Sequence, residues 1–352
     1  MTDAPRAVDV VVIGGGQAGL AAGYHLRRAK ADFVILDAQH EPGGAWRHAW
    51  PSLRLFSPAQ YSSLPGRMMP SPPGGGYPSA ADTVAYLSDY ERRYALPVIR
   101  PTKVRAVRRS GARLQVETDA GTWRARIVIS ATGTWWRPYV PHYPGIGDFA
   151  GRQLHTAGYH GPETFHGKNV VIVGGGNSAA QILAELSAVA ATTWVTSRPP
   201  RLLPDEVDGQ ALFDLATRRH QATLAGESAT GIGNLGDIVA VPAVREARDR
   251  GALKAEPMFT RIIPEGVAWS DGTTLACDAI VWCTGFRPAL GHLAPLRLRG
   301  ADGLIPTDGT RALDEPRLHL LGYGDWSGPA SATLIGAGRT AKAAVAEIMK
   351  QR

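Results

Sequence analysis

Residues 10–37 read VVVIGGGQAGLAAGYHLRRAKADFVILD, and this stretch decides the fold of the chain. It opens with a run of β-branched residues, as in a buried parallel strand, and ends with a second apolar run before Asp37. Between the two runs lie Gly14, Gly16 and Gly19, followed by a segment with helical character. Glycines let the N–H groups of a helix N-terminus approach a pyrophosphate, and an acid about 20 residues later accepts hydrogen bonds from an adenosine ribose. The stretch therefore predicts a strand–turn–helix–strand unit that binds a dinucleotide.

Composition and charge indicate a globular protein with room for two ordinary domains. The chain has 352 residues, of which 44% are apolar and 20% are charged, and this balance supports a full core in each domain. Its net charge is +7, but the basic residues are scattered and form no long block. Such a balance suits anionic phosphorylated cofactors and gives no sign of a nucleic-acid partner.

The cysteines and the apolar runs bear on the compartment. Cys277 and Cys283 form neither a CxxC pair nor a zinc-binding pattern, so the sequence predicts no disulfide framework, no dithiol chemistry and no metal site. The first strand begins within ten residues, which leaves no space for a signal peptide. No apolar run approaches the ~20 residues that span a bilayer. We therefore expect a cytoplasmic protein without a membrane partner.

The region after the first unit combines a long loop with regular elements. The Pro- and Gly-rich stretch 57–79 is too long for a simple connection, so a lid or access loop is predicted, with an ordered surface loop as the alternative. Apolar spacing predicts a helix over 83–94. Strands are predicted at 103–107, 113–118 and 122–130, joined by glycine-bearing turns.

The opening pattern recurs in the second half of the chain. Residues 170–173 form a second β-branched run, and Gly174 and Gly176 provide the turn after it. A helix over 177–190 and a strand over 193–196 follow. The chain is therefore predicted to have an α/β fold with two related Rossmann-like dinucleotide-binding domains, each with a parallel sheet and a β-meander.

The end of the chain is predicted to return to the first unit. A strand is expected at 318–322 and an amphipathic helix over 331–350. Asp325 would then meet a ribityl or pyrophosphate group, and the helix N-terminus near Thr333 would stabilise negative charge on a reduced flavin; the alternative for Asp325 is a turn residue. We therefore expect a discontinuous first domain at 1–155 and 286–352, and a second domain at 156–285.

The two units differ at the residue that would meet the adenosine ribose. Asp37 stands 23 residues after the first glycine of its turn, and the same position of the second unit holds Ser197, followed by Arg198. A carboxylate repels a 2′-phosphate, whereas Arg198, with Arg201 as a second cation, would hold one. The first unit is therefore predicted to bind an adenine cofactor with a free ribose, and the second to bind NADPH.

A His-bearing connector separates the two units. Phe149, Gly151, His155 and Tyr159 match the pattern FxGxxxHxxx(Y/F/W), which stands directly before the second glycine turn. Together with the two turns, this pattern resembles the class B flavin-dependent monooxygenases over nearly the whole chain. The resemblance implies FAD in the first unit and NADPH in the second.

The candidate cofactor residues follow from the turns and from this resemblance. On the FAD side they are Gly14, Gly16, Gln17, Ala18, Gly19, Asp37, Ala38, Gly44, Ala45, Trp46, Val104, Ala131, Thr132, Gly133, Asp325 and Thr333. On the NADPH side they are Gly174, Gly176, Asn177, Ser178, Ala179, Ser197, Arg198, Arg201, Thr284 and Gly285, together with His155 and Tyr159 of the connector. His155 has an alternative role as a hinge residue that holds no proton for the reaction.

Within that class, the sequence looks closest to the flavin monooxygenases of arsenic-resistance operons (ArsO type). The similar stretches are DAQHEPGGAW, SLRLFSPAQYSSLPG, GGGNSAAQILAEL and LGYGDWSGPASATLIGAGR. The chain departs from the family pattern at one position. Many flavin-containing monooxygenases place an Asn beside the flavin after the GGxW loop, and this chain lacks that Asn. Arg54, Ser57 and Gln60 are the candidates for the catalytic position, and the choice among them is open.

The resemblance implies a reaction sequence. NADPH would deliver a hydride to flavin N5, the reduced flavin would capture O2, and the resulting C4a-(hydro)peroxyflavin would oxygenate a soft nucleophile. This small-molecule substrate would be a trivalent arsenical, a sulfur compound or a nitrogen compound, with a link to arsenic resistance. The cofactor carries this chemistry, so no acid–base pair is required of the protein.

Two other functions fit the same motifs. An NADPH oxidase or flavoprotein reductase would release H2O2 without oxygen transfer, and a redox-sensing flavoprotein would dock a partner. The chain has two cysteines, too few for a three-thiol arsenite site. Residues 201–254 are the least typical of the family and are expected to shape the substrate side, whereas the sequence leaves the oligomeric state open.

Overall fold

The computed structural model describes residues 5–205, 237–328 and 330–351. The chain forms two compact units. The first unit comprises Met1–Arg47, Ala59–Trp136 and Pro288–Arg352, and the second comprises His48–Pro58 and Arg137–Arg287. Of the region 201–254, residues 206–236 lie outside the described residues.

The regular elements of the described residues are numbered here along the chain. The strands are β1 (Arg6–Ile13), β2 (Phe33–Leu36), β3 (Val98–Ile99), β4 (Val104–Ser110), β5 (Arg113–Thr118), β6 (Gly121–Ser130), β7 (Arg152–His155), β8 (Asn169–Val173), β9 (Ala191–Thr196), β10 (Ala255–Pro257), β11 (Arg261–Ile263), β12 (Gly266–Ala268), β13 (Thr274–Ala276), β14 (Ala279–Trp282), β15 (Thr307–Asp308), β16 (Arg311–Ala312) and β17 (Leu318–Leu320). The α-helices are α1 (Gln17–Arg28), α2 (Ala80–Arg93), α3 (Asn177–Leu186), α4 (Pro242–Asp249) and α5 (Leu334–Lys350). Short 3₁₀ helices span Gly44–His48, Ala59–Tyr61, Thr156–Gly158, Glu163–Phe165, Gly291–Leu296 and Asp325–Ser327.

The first unit is organised around β1. This strand pairs in parallel with β2 on one side and with β6 on the other, and β17 pairs in parallel with β6. The meander β4–β5 attaches to β6 in antiparallel fashion. Residues from both faces of β1, such as Val11 and Val12, are fully buried, as expected for a central parallel strand covered on both sides.

The second unit repeats this plan with a smaller parallel sheet. Its strand order among the described residues is β10–β9–β8–β14–β7, and each neighbouring pair is parallel. A separate antiparallel meander consists of β11, β12 and β13. Val171, Ile280 and Trp282 of the parallel sheet pack in one core with Val267 of β12 in the meander and with Phe259 just before β11.

The fold predicted from the sequence is confirmed, because each unit contains a parallel sheet, a glycine turn into a helix and an antiparallel meander. The C-terminal segment belongs to the first unit, where β17 pairs with β6. In the described part of the chain, no helix has the length and apolar character needed to cross a bilayer.

Some elements differ from the sequence expectation in their bounds. The helix expected over 83–94 begins earlier, because Ser79 and Asp82 form a reciprocal capping box at its start. The helix expected over 177–190 ends at Leu186. The connector that carries the His motif contains a strand, β7, which joins the edge of the second sheet beside β14.

Candidate functional site

The glycine turn of the first unit has the geometry of a phosphate site. Gly14 has φ +106°, and a Cβ built there would lie 2.5 Å from the carbonyl oxygen of Ala131. The first in-register helical bond of α1 runs from Leu20 N to Gly16 O, so the preceding N–H groups have no partner within the helix. A Cβ on Gly16 would meet only a Gly44 Cα at 3.9 Å. The space beside Gly16 at the N-terminus of α1 is therefore open, and a pyrophosphate would fit there.

Several predicted FAD residues meet at the start of α1. Gly44 of the GGxW loop has φ +56°, and its Cβ would lie 2.9 Å from the Cα of Gly16. Trp46 Nε1 donates to Gln17 Oε1 at 2.9 Å, and Gln17 Nε2 donates to the Ala332 carbonyl at 2.6 Å. Gln17 therefore joins the glycine turn, the loop and the segment before α5.

The acid at the end of β2 is buried and paired. Asp37 Oδ2 accepts a hydrogen bond of 2.7 Å from Arg100 Nε. Arg100 also forms a bidentate pair with Glu91 of α2, at 2.6 and 2.8 Å. Burial alone would lower the pKa of Arg100, but its bonds to Glu91 and Asp37 raise it above the ordinary value. Sequence reasoning predicted Asp37 as a cofactor residue and did not anticipate its pairing with Arg100 or the anchoring of Arg100 by Glu91.

The crossover that follows β6 is fixed by a buried tyrosine. Tyr323 OH lies 2.8 Å from Thr132 Oγ1, 2.7 Å from Ser130 Oγ and 3.2 Å from the Thr132 N–H. Gly133, which completes the predicted Ala131-Thr132-Gly133 motif, has φ +63°. Tyr323 holds this turn in place, and no spacing rule in the sequence pointed to it.

The C-terminal candidates lie at the same end of the first unit. A Cβ on Gly322 would lie 2.7 Å from the Cβ of Ala18, so the segment after β17 approaches α1 closely. Asp325 is exposed and accepts one long bond, of 3.4 Å, from the Ala330 N–H. Thr333 caps α5 by accepting from the Gly336 N–H at 3.1 Å. Asp325 thus retains capacity for further donors.

The second glycine turn reproduces the first. Gly174 has φ +131°, and its Cβ would lie 2.3 Å from the carbonyl oxygen of Cys283, just before the Thr284-Gly285 crossover. A Cβ on Gly176 would meet no atom within 4 Å. The helical bonds of α3 begin with Ala180 N to Gly176 O, which leaves the N–H groups of Asn177, Ser178 and Ala179 without a partner in the helix.

Charged and amide groups border this second turn. The Asn177 amide accepts from the Val239 N–H at 2.9 Å and donates to the Asp237 carbonyl at 3.1 Å. Arg201 lies 3.5 Å from the Asp237 carboxylate. Arg198 is exposed, and no described residue forms a hydrogen bond or ion pair with its guanidinium. Of the two cations, Arg198 is therefore the more available to a phosphate.

Both ring nitrogens of His155 have protein partners. Nε2 lies 2.9 Å from the Gly285 carbonyl, and Nδ1 accepts from the Ala157 N–H at 3.1 Å. This pattern requires the neutral ring with its proton on Nε2. Burial lowers the pKa of His155 below 6.5, and the hydrogen bond to Gly285 opposes that shift.

The pH dependence of stability tests this assignment of the ring. Because the folded chain keeps His155 neutral while the unfolded chain protonates it below pH 6.5, His155 lowers stability as the pH falls through that range. His155→Gln keeps a neutral donor and removes the titration. We expect the fall in melting temperature between pH 7.5 and pH 5.5 to be smaller by about 2 °C in the variant. An equal or larger fall would contradict the neutral assignment.

Helix α3 also holds the segment His48–Pro58 within the second unit. The Gln181 amide accepts from the Arg54 N–H and donates to the Arg54 carbonyl, both at 3.1 Å. Glu185 accepts from Tyr159 OH at 2.8 Å and from the Ser52 hydroxyl. Of the three catalytic candidates, Arg54 and Ser57 belong to this unit, and Gln60 belongs to the first unit. Sequence reasoning did not anticipate this division.

The two thiols lack the properties of a redox pair. Both are free, and burial raises the pKa of Cys277 to about 11 and that of Cys283 to about 12. Thiolate, the reactive form, is therefore scarce at neutral pH. Among the described residues, no group of three His, Cys, Asp or Glu side chains could hold a metal ion.

Comparison with known proteins agrees with this geometry. Residues 11–210 match the pyridine nucleotide-disulphide oxidoreductase family. An uncharacterised CzcO-like oxidoreductase from Geobacillus kaustophilus is 31% identical over 281 residues, which cover 79% of this chain and 80% of that protein. The structure of a flavin-containing monooxygenase from Stenotrophomonas maltophilia superposes with a TM-score of 0.90 at 52% identity, covering 98% of this chain and 99% of the other. An indole-3-pyruvate monooxygenase from Oryza sativa subsp. indica, YUCCA8, is 25% identical over 394 residues, covering 96% and 90% of the two chains.

The chain belongs to the pyridine nucleotide-disulphide oxidoreductase family. Within that family it is a flavin-dependent monooxygenase, so the predicted enzyme class is confirmed. The family name includes disulfide chemistry, but the two protonated thiols of this chain do not form the CxxC pair that such chemistry uses.

Proposed function

We propose that the first unit binds FAD, the second binds NADPH, and the enzyme transfers one oxygen atom of O2 to a soft nucleophile. The cofactors are FAD and NADPH. The observation that carries the assignment is the difference between the two otherwise equivalent turns. The first ends at a buried carboxylate, Asp37, and the second at the exposed pair Ser197 and Arg198.

Each turn fits the nucleotide assigned to it. In both, the first glycine packs against a crossover carbonyl, and the space over the helix N-terminus is open at Gly16 and at Gly176. The N–H groups there, which have no partner within their helix, favour a pyrophosphate. A free ribose donates hydrogen bonds to Asp37, and a 2′-phosphate accepts them from Arg198. Gln17, Trp46, Asp325 and Thr333 support the flavin side of this proposal.

When bound, the flavin would accept a hydride from NADPH and would activate O2. The residues of this chain bind and orient the two cofactors and exclude water. Arg54, Ser57 and Gln60 remain the candidates for a group that contacts the reacting atoms. His155 and Tyr159 hold the crossover and α3, and we assign no proton transfer to them.

For the substrate we propose a compound that presents a lone pair on a soft atom, such as a trivalent arsenical, a sulfide or an amine. Similarity to ArsO-type enzymes in the stretches around the turns favours the arsenical and a role in arsenic resistance. With two cysteines in the whole chain, binding cannot rest on three thiolates, so the arsenical would be held without trithiolate ligation. A cytoplasmic location, suited to free thiols, is part of the proposal.

Stopped-flow absorbance separates this function from its alternatives. The enzyme is reduced anaerobically with NADPH and then mixed with aerated buffer. We expect a band that is distinct from oxidised and reduced flavin, that lasts for seconds, and that decays faster when the substrate is added. Immediate stoichiometric H2O2 without such a band would show an oxidase, and failure of NADPH to reduce the flavin would leave only the sensor. Coupled NADPH consumption with arsenicals, sulfides and amines then identifies the substrate class.

A further inference from the structure

Arg100 occupies a buried position between two carboxylates of the first unit. The side chains of Arg100, Asp37 and Glu91 are 9%, 8% and 16% exposed. Arg100 donates to Asp37 through Nε, to both oxygens of Glu91 through its terminal nitrogens, and weakly to the Gly15 carbonyl at 3.5 Å. Because Glu91 holds the guanidinium in a bidentate pair, the Nε–H keeps a fixed direction toward Asp37.

The two oxygens of the Asp37 carboxylate differ in their hydrogen bonds. Oδ2 accepts the strong bond from Arg100, whereas the hydrogen bond that Oδ1 accepts within the described part of the chain is long, at 3.4 Å from the Gln39 N–H. An ionised carboxylate oxygen accepts more than one hydrogen bond, so Oδ1 keeps capacity for hydroxyl donors. Two carboxylates and one guanidinium also leave the group with a net negative charge. That charge favours hydroxyl groups over a phosphate.

The glycine between Gly14 and Gly16 gives independent support. A Cβ on Gly15 would lie 2.7 Å from Arg100 Nη2 and 2.7 Å from Asp37 Oδ2. The end of a flexible side chain could normally move away from such a Cβ, but Glu91 holds the Arg100 guanidinium in place. In the second unit the corresponding Cβ, on Gly175, would be 3.6 Å from its nearest neighbour, a Thr196 methyl. Among the described residues, the middle glycine of the first turn therefore packs directly against an arginine–carboxylate pair, whereas Gly175 does not.

We propose that Arg100 is a positioning residue which fixes the Asp37 carboxylate for the hydroxyls of an adenosine ribose and thereby determines the nucleotide selectivity of the first unit. The inference rests on the proposed binding of FAD to this unit. It adds that selectivity comes from a three-residue group, anchored by Glu91 on α2, and that Asp37 alone is insufficient.

Binding to the FAD-depleted full-length protein tests the proposal. FAD and an FAD analogue with 2′-deoxyadenosine are titrated and followed by flavin fluorescence. In the unchanged protein we expect FAD to bind about ten-fold more tightly than the analogue, as for a charge-assisted hydrogen bond. In Arg100→Gln we expect this ratio to fall to between one and three, mainly through weaker binding of FAD. Arg92→Gln, a change beside Glu91 on α2 at a side chain that is 76% exposed, should keep the full ratio.

A purely structural role of Arg100 would weaken both ligands equally and leave the ratio unchanged, which would overturn the proposal. In an Asp37→Asn background, Arg100→Gln should no longer alter the ratio, because the arginine acts through that carboxylate. Should Arg100→Gln not fold, Glu91→Gln decides, since it loosens the anchor and should reduce the ratio at least three-fold. If the unchanged protein shows no preference for FAD over the analogue, the assignment of the ribose to Asp37 fails, and the inference fails with it. If Arg100→Gln and Glu91→Gln both keep a clear preference for FAD over the analogue, the inference about Arg100 fails while the proposed function stands.

Discussion

Gly14→Ala is expected to yield a colourless protein that added FAD does not turn yellow. The backbone at Gly14 has φ +106°, a conformation that costs an alanine about 1–3 kcal/mol. The new methyl group would also lie 2.5 Å from the Ala131 carbonyl, so the turn must move away from the crossover. We expect FAD affinity to fall by at least about 100-fold, measured by visible absorbance after reconstitution, with circular dichroism to verify the fold.

The matched variants make this result specific. Gly291→Ala places a methyl group in open space in the same unit and should retain the yellow colour. Gly174→Ala repeats the clash in the second unit, at 2.3 Å from the Cys283 carbonyl. It should bind FAD and be bleached by dithionite, yet be reduced by NADPH far more slowly. A yellow Gly14→Ala, or a colourless Gly174→Ala, would contradict the assignment of the two cofactors.

Arg198→Ala should raise the KM for NADPH by about 10- to 100-fold, as expected for the loss of a charge-assisted bond to the 2′-phosphate, and should change the KM for NADH less than three-fold. Steady-state kinetics with both nucleotides measures the difference. Arg201→Ala is the internal comparison. Because Arg201 already forms an ion pair with Asp237, its replacement should raise the KM for NADPH less than Arg198→Ala does. Equal changes for NADPH and NADH in Arg198→Ala would remove this residue from the nucleotide site.

Local patterns predicted the parts of the protein that are close in sequence. Gly14, Asp37 and Gly174 could be proposed as cofactor residues because strand, turn and helix impose fixed spacings on one continuous stretch. The same reasoning predicted the duplication from the recurring strand and glycine turn, and the duplication then placed Ser197 at the position of Asp37. Element bounds were less accurate, as at α2, where a capping box and not apolar spacing sets the start.

The residues that were missed depend on contacts between distant segments. Arg100 reaches Asp37 across 63 positions, and the place of Arg100 follows from the pairing of β3 with β2. Tyr323 meets Thr132 across 191 positions. No spacing rule connects such residues, because the sheet brings them together only after the intervening chain has folded.

The first unit consists of three separate pieces of chain, and the last of them supplies β17, Ala332 and α5. During synthesis on the ribosome, the glycine turn at residues 14–19 is therefore made long before residues 288–350, which complete its surroundings. The pieces of the second unit, which end at Arg287, are synthesised earlier and can assemble first. The proposed FAD site would then be completed only after its third piece has been made, and a chain truncated before Leu334 is expected not to retain FAD.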